Sequence, residues 1–134
     1  IIDKGEADII LAFERLEAYR ALPWLKKGGV MIVNDQQINP MPVITGAADY
    51  PENILDKLCE ASCDDFDFEH VIFIDALRLA QKAGNAKAVN VVLIGELAKN
   101  TEISYEEWVE AIKTTVPPKF LEANLKAFDL GYNL

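Results

Sequence analysis

Histidine is almost absent from this 134-residue sequence, and so are the short motifs that mark common active sites. His70 is the one imidazole. It precedes an apolar run, with Glu69 beside it and no nucleophile motif, so it reads as a strand-edge residue rather than an acid or base. No GxGxxG, P-loop, HExxH or GxSxG occurs, which excludes the usual nucleotide, zinc-protease and serine-hydrolase sites. The pair Gly28-Gly29 is too short to cradle a phosphate. Cations are outnumbered, 13 Lys and Arg against 22 Asp and Glu, for a net charge of −9. That balance argues against nucleic acid and anionic membranes as partners, because phosphates call for net positive charge. No run approaches the ~18 apolar residues of a membrane span, and no signal peptide is visible.

Cysteine is scarce as well. Cys59 and Cys63 are too few for an iron–sulfur cluster, and no histidine stands at zinc-ligand spacing. They read as two reduced thiols of a cytoplasmic protein. The acidic group Asp64, Asp65, Asp67 and Glu69 lacks the glycine and the twelfth-position glutamate of a calcium loop, and reads as a solvated turn.

What is present is apolar content of 51%, enough for one domain with a real core over residues 1–134. The first residue is Ile1, and the expectation is a C-terminal fragment of a longer subunit. Ala7 to Phe13 is a continuous apolar run, as in a strand covered on both faces. Leu16, Tyr19 and Leu22 follow at helical spacing, and Val30 to Val33 is a second strand, making a βαβ unit. Pro40 and Pro42 are expected to hold the next segment extended. Pro51 suits the first position of a helix striped by Ile54, Leu55 and Leu58.

Val71 to Ile74 gives a third strand, and Ala76 onwards a helix stopped by Gly84. Asn85 to Lys99 reads as a buried helix with Asn85 as N-cap. Ser104 and Glu107 form a capping box, Pro117-Pro118 separates two helices, and Gly131 closes the last. The fold class is α/β: a Rossmann-like open parallel sheet with helices on both faces, followed by a C-terminal helical segment.

Ligands of such sheets bind beyond the carboxyl ends of the strands. Those ends supply Glu14, Asn34, Gln36, Gln37 and Asp75, with Met41 and Thr45 in the proline loop. For Glu14 and Asp75 the competing reading is a helix cap. Asn34 and Gln36 have no following helix to cap, which favours contact with a substrate or a partner. No catalytic residue and no metal ligand is expected.

Taken together, GEADIILAFERLEAYRALPWLKKGGVMIVN, NPMPVITGAADYPENI, IDALRLAQKAGNAKAVNVVLIG and VPPKFLEANLKAF resemble the gamma-type domain of the 2-oxoacid:ferredoxin oxidoreductases, and within it the beta subunit of indolepyruvate ferredoxin oxidoreductase. The family's glycine-rich N-terminal strand and loop have no counterpart here. The prolines at 40 and 42 and the TGAADYP stretch look like the aryl-pyruvate branch rather than the pyruvate or 2-oxoglutarate branches.

The resemblance implies a subunit of an enzyme that decarboxylates a 2-oxoacid on thiamine diphosphate, passes electrons through iron–sulfur clusters to ferredoxin, and transfers the acyl group to coenzyme A. It implies that this chain binds no cofactor itself, the cofactors lying on a large alpha-type partner subunit. Met41, Val43 and Ile44, beside Asn34 and Gln36, would form the docking surface. Self-association is one way to cover the edge of a narrow sheet. The alternatives are the corresponding subunit for another 2-oxoacid, or a stand-alone binding or scaffold domain.

Overall fold

A computed structural model describes residues 1–58 and 70–134. Cys59, Cys63 and the acidic group from Asp64 to Glu69 lie outside the described residues. The chain divides into two compact units, Ile1–Phe73 and Ile74–Leu134.

The first unit is built on a three-stranded sheet of order β1-β2-β3, formed by Ala7–Ala12, Leu25–Asn34 and Val71–Ile74. β1 and β2 run parallel, with Ile9 opposite Val30 and Ala12 opposite Val33. Helix α1, Arg15–Ala21, makes the crossover, and a 3-10 turn at Leu22–Trp24 returns the chain to the sheet. The class expected from the sequence is therefore the one found. β2 is central, and its consecutive residues Met31, Ile32 and Val33 are all fully buried, so both of its faces are covered. β1 is an edge strand. Its Ile9, Ile10 and Leu11 stay half-buried, which the apolar run alone did not reveal.

Three boundaries differ from the sequence expectation. β2 begins at Leu25, not Val30, and Gly28 and Gly29 lie within the strand, beside an irregularity in its register with β1. Gly28 sits at φ 77°, and a Cβ on Gly29 would lie 2.9 Å from the Asp8 carbonyl oxygen, so neither place suits a side chain. The proline loop is not extended throughout: Met41–Ile44 forms a one-turn helix, α2, with Pro42 in its first turn. A proline costs nothing there, since its missing N–H would have had no partner in the helix. Pro51 precedes the next helical residues, 54–58, rather than starting them; Asn53, at φ 57°, stands between.

The second unit is helical. Its elements are α3 (Ala76–Ala83), a 3-10 turn (Ala86–Ala88), α4 (Val89–Lys99), α5 (Tyr105–Thr115) and α6 (Pro118–Tyr132). Local chemistry sets most of these limits. Asp75 accepts from the Arg78 amide at 3.0 Å, and Gly84 ends α3 at φ 97°. Asn85 accepts from Lys87 N–H at 3.0 Å and so caps the 3-10 turn, while α4 itself begins at Val89 rather than at Asn85 as expected. The capping box is formed, with Ser104 N–H donating to Glu107 Oε2 at 3.0 Å and Ser104 Oγ accepting from the Glu107 amide.

Gly131 does not close α6 as expected. It lies inside the helix, where a Cβ would be 1.9 Å from the Val92 carbonyl oxygen, and Gly95 meets the Phe128 carbonyl in the same way. The two glycines let α4 and α6 cross with their backbones in contact. Phe128 is fully buried, with Ile112 and Ala98 around it.

Candidate partner-contact site

Glu14 follows β1 directly, where the strand ends and the chain must turn into α1. Its carboxylate is only 6% exposed, and both oxygens are engaged. Oε2 accepts from the amides of Leu16 and Glu17 at 2.7 and 3.1 Å, which makes Glu14 the N-cap of α1. Oε1 accepts from the Ile38 amide at 3.2 Å and from the Tyr50 phenol. The cap reading was therefore half of the matter. One buried carboxylate also ties down the loop that leaves β2, at both ends of residues 38–50.

The consequence for Tyr50 is electrostatic. Burial, then the hydrogen bond to Glu14 and that group's charge, push the phenol up to about 12 from 10.0.

Asn34 ends β2 and is 2% exposed. Its Nδ2 donates to the Phe13 carbonyl and to Gln36 Oε1, each at 3.1 Å. Its Oδ1 is buried, with no donor among the described residues. An unpaired buried acceptor costs about 1–3 kcal/mol, so such groups are rare in finished structures. Gln36 in turn accepts from the Arg15 amide through its main-chain oxygen at 3.2 Å, and Arg15 Nε donates to Asp35 Oδ1 at 2.7 Å. The ends of β1 and β2 are thus laced into one polar network.

Beside it opens a cleft of about 480 Å³, bounded by Arg15, Gln37, Tyr50 and residues 51–56. Gln37 is exposed and donates to Asn39 Oδ1 at 2.9 Å. On the short helix α2, Met41 and Ile44 are 67% and 66% exposed, and Ile38 just before it is 55% exposed. The Thr45 hydroxyl donates to the main-chain oxygens of Met41 and Pro42, at 3.0 and 3.2 Å, and so closes the turn rather than facing outward.

Of the residues expected from the sequence, Glu14, Asn34 and Gln36 come together in the network, with Gln37 at the cleft. Met41 and Thr45 belong to the adjoining turn. Asp75 lies in the second unit, where its side chain caps α3. Arg15, Ile38 and Tyr50 were missed. Tyr50 stands 36 residues from Glu14, and no local pattern links them. His70 is half-buried, and among the described residues its Nδ1 has no partner. Among the described residues no group of three or more His, Cys, Asp or Glu side chains could hold a metal ion. Nor is any described helix long and apolar enough to cross a membrane.

The sheet and the helical segment after it define a protein of the open parallel-sheet α/β class. The family model for pyruvate ferredoxin/flavodoxin oxidoreductase matches residues 1–134, and the chain belongs to that family. Relatives named indolepyruvate oxidoreductase subunit IorB are similar along almost its full length. The one from Thermococcus kodakarensis is 41% identical over 133 residues, and so is the one from Pyrococcus horikoshii; the one from Archaeoglobus fulgidus is 36% identical over 137. The matches cover 98% of this chain, which spans 64% of the length of the first two relatives. The fold is shared with the keto/oxoacid ferredoxin oxidoreductase gamma subunit of Geobacter sulfurreducens. That match has a TM-score of 0.66 and 24% identity, over 99% of this chain and 66% of the other.

Proposed function

We propose that the chain is part of the small, cofactor-free subunit of an indolepyruvate:ferredoxin oxidoreductase. The enzyme would oxidatively decarboxylate aryl pyruvates to acyl-CoA and reduce ferredoxin, in the cytoplasm. The observation that carries this reading is the near-full-length similarity to relatives that all bear the IorB subunit name. Thiamine diphosphate and the clusters belong to a large alpha-type partner subunit in this reading. The described residues offer no ligand set for a metal, and no step of the reaction is assigned to them.

The contribution of this chain is a surface. The Glu14 carboxylate fixes the loop after β2, and that loop displays Ile38, Met41 and Ile44 to solvent. Exposed apolar side chains clustered on a braced turn suit docking against another subunit. The full-length subunit, mixed with the large subunit, should restore ferredoxin reduction that depends on both indolepyruvate and coenzyme A. No restoration would overturn the assignment. Pyruvate, 2-oxoglutarate and branched-chain oxoacids, assayed beside indolepyruvate, identify the substrate branch.

A further inference from the structure

Independently of that surface, we infer that the second unit carries a binding groove for a small amphipathic carboxylate. The groove lies among the 3-10 turn at Ala86–Ala88, α4, α5 and the start of α6, and encloses about 660 Å³. That volume falls within the ~300–1,000 Å³ typical of small-ligand sites. Its walls are mostly apolar, formed by Val91, Ile94, Ile112 and Val116 with the rings of Trp108 and Phe120. Phe120 is 44% exposed, with Lys119 Nζ 4.7 Å from its ring centroid.

The polar groups in these walls are few. Lys87 is the one charged side chain that lines the groove, and among the described residues it makes no ion pair. In a chain of net charge −9 this is the exception, and no carboxylate lines the groove beside it. Two further groups are unusual in an apolar wall. Asn124 is only 8% exposed, with Nδ2 donating to the Phe120 carbonyl at 2.8 Å. Trp108 Nε1–H is buried, with no acceptor among the described residues. An apolar body with one anionic end matches this set: the body fills the hydrophobic walls, and the carboxylate meets Lys87 at the rim. A second copy of the chain is a poor occupant, since two surfaces of net charge −9 repel each other.

Calorimetric titration of the intact chain tests the inference, with decanoate and 2-naphthoate as probes and their primary amides as neutral isosteres. Saturable one-to-one binding is expected, with the acid about fivefold tighter than its amide, as a partly exposed ion pair allows. The tighter acid of the two tells an aliphatic body from a flat aromatic one. Lys87→Gln should erase the preference for acid over amide. Ala111→Trp, which fills the groove, should abolish binding. Lys87 is exposed, so its variant keeps the fold and the test stands even where the tryptophan variant does not. Equal affinity for acid and amide, no saturable binding of either acid, or unchanged binding in a folded Ala111→Trp chain would each overturn the proposal. Loss of binding once the large subunit is bound would also overturn it, as the mark of a groove that a partner helix fills.

Discussion

Tyr50 and Glu14, 36 residues apart, meet side chain to side chain, the phenol donating to a carboxylate that is 6% exposed. The same oxygen holds the Ile38 amide, and the other oxygen caps α1. Removing the phenol therefore loosens the loop without uncapping the helix. Tyr50→Phe should cost about 1–2 kcal/mol in urea unfolding, in line with the loss of a hydrogen bond to a charged group. Hydrogen exchange should quicken at residues 38–50 and stay slow in α1. Glu14→Gln should quicken both, because an amide cannot serve all four donors. Equal protection in all three proteins would mean the pair contributes nothing.

The same pair makes stability depend on alkaline pH. The folded phenol titrates at about 12 against 10.0 for a free tyrosine, so between these values the unfolded chain has lost a proton that the folded chain keeps. Stability from this source is complete below pH 10 and lost as pH rises towards 12. Tyr105 adds to the trend: its hydrogen bond to Asp129, then burial, raise it in the same direction. Chemical denaturation at pH 9, 10 and 11 should show falling stability in the wild type and a shallower fall in Tyr50→Phe. A parallel fall in both would remove Tyr50 as the source.

Much of this architecture was legible in the sequence because local chemistry dictated it. The capping box at Ser104, the Asp75 and Asn85 caps and the left-handed Gly84 are decided by neighbours a few residues away. The strands at Ala7, Val30 and Val71 announced themselves as apolar runs. The failures share a cause: each depended on a distant part of the chain. Gly131 looked like a stop signal and is a point of helix contact, since Val92 lies far off in sequence. The joint role of Glu14 was hidden because Ile38 and Tyr50 follow it by 24 and 36 residues. The turn at Met41–Ile44 was misjudged because one proline in a first helical turn looks, in sequence, like a proline in an extended loop.

The crossing of α4 and α6 supplies a sharp test of packing. A methyl group on Gly131 would sit 1.9 Å from a backbone oxygen that has no rotamer to escape into. Gly131→Ala should lose about 3 kcal/mol, the upper end of ordinary overpacking. Gly84→Ala meets nothing within 4 Å and strains only a left-handed φ, so about 1–2 kcal/mol is expected. Thermal unfolding of the two variants should rank them in that order. The reverse order would show that α4 and α6 have room to move apart.

Asp75 separates a cap from a contact. Its carboxylate accepts from the Arg78 amide at 3.0 Å, which asparagine also does well. Asp75→Ala should destabilise the chain by about 1 kcal/mol, and Asp75→Asn by a few tenths. Assembled with the large subunit, Asp75→Asn should keep full turnover. A drop in turnover without a drop in stability would return Asp75 to the list of contact residues.

The docking surface is the most consequential of these expectations. Met41 and Ile44 are 67% and 66% exposed, and α2 buries no residue, so charge placed there has little effect on folding. Met41→Glu and Ile44→Glu should each leave unfolding within about 0.5 kcal/mol of the wild type. Desolvating a carboxylate against an apolar partner surface is costly, and truncations of central interface anchors cost 2 kcal/mol or more. Affinity for the large subunit should therefore fall by at least about tenfold in either variant. Gln81→Glu, an exposed change in the second unit that adds the same single negative charge, controls for net charge and should leave assembly unaltered. Immobilised large subunit, titrated with each variant, reads the affinities directly. If both glutamate variants bind as the wild type does, this turn is not where the subunits meet, and the exposed apolar side chains of the loop need another occupant.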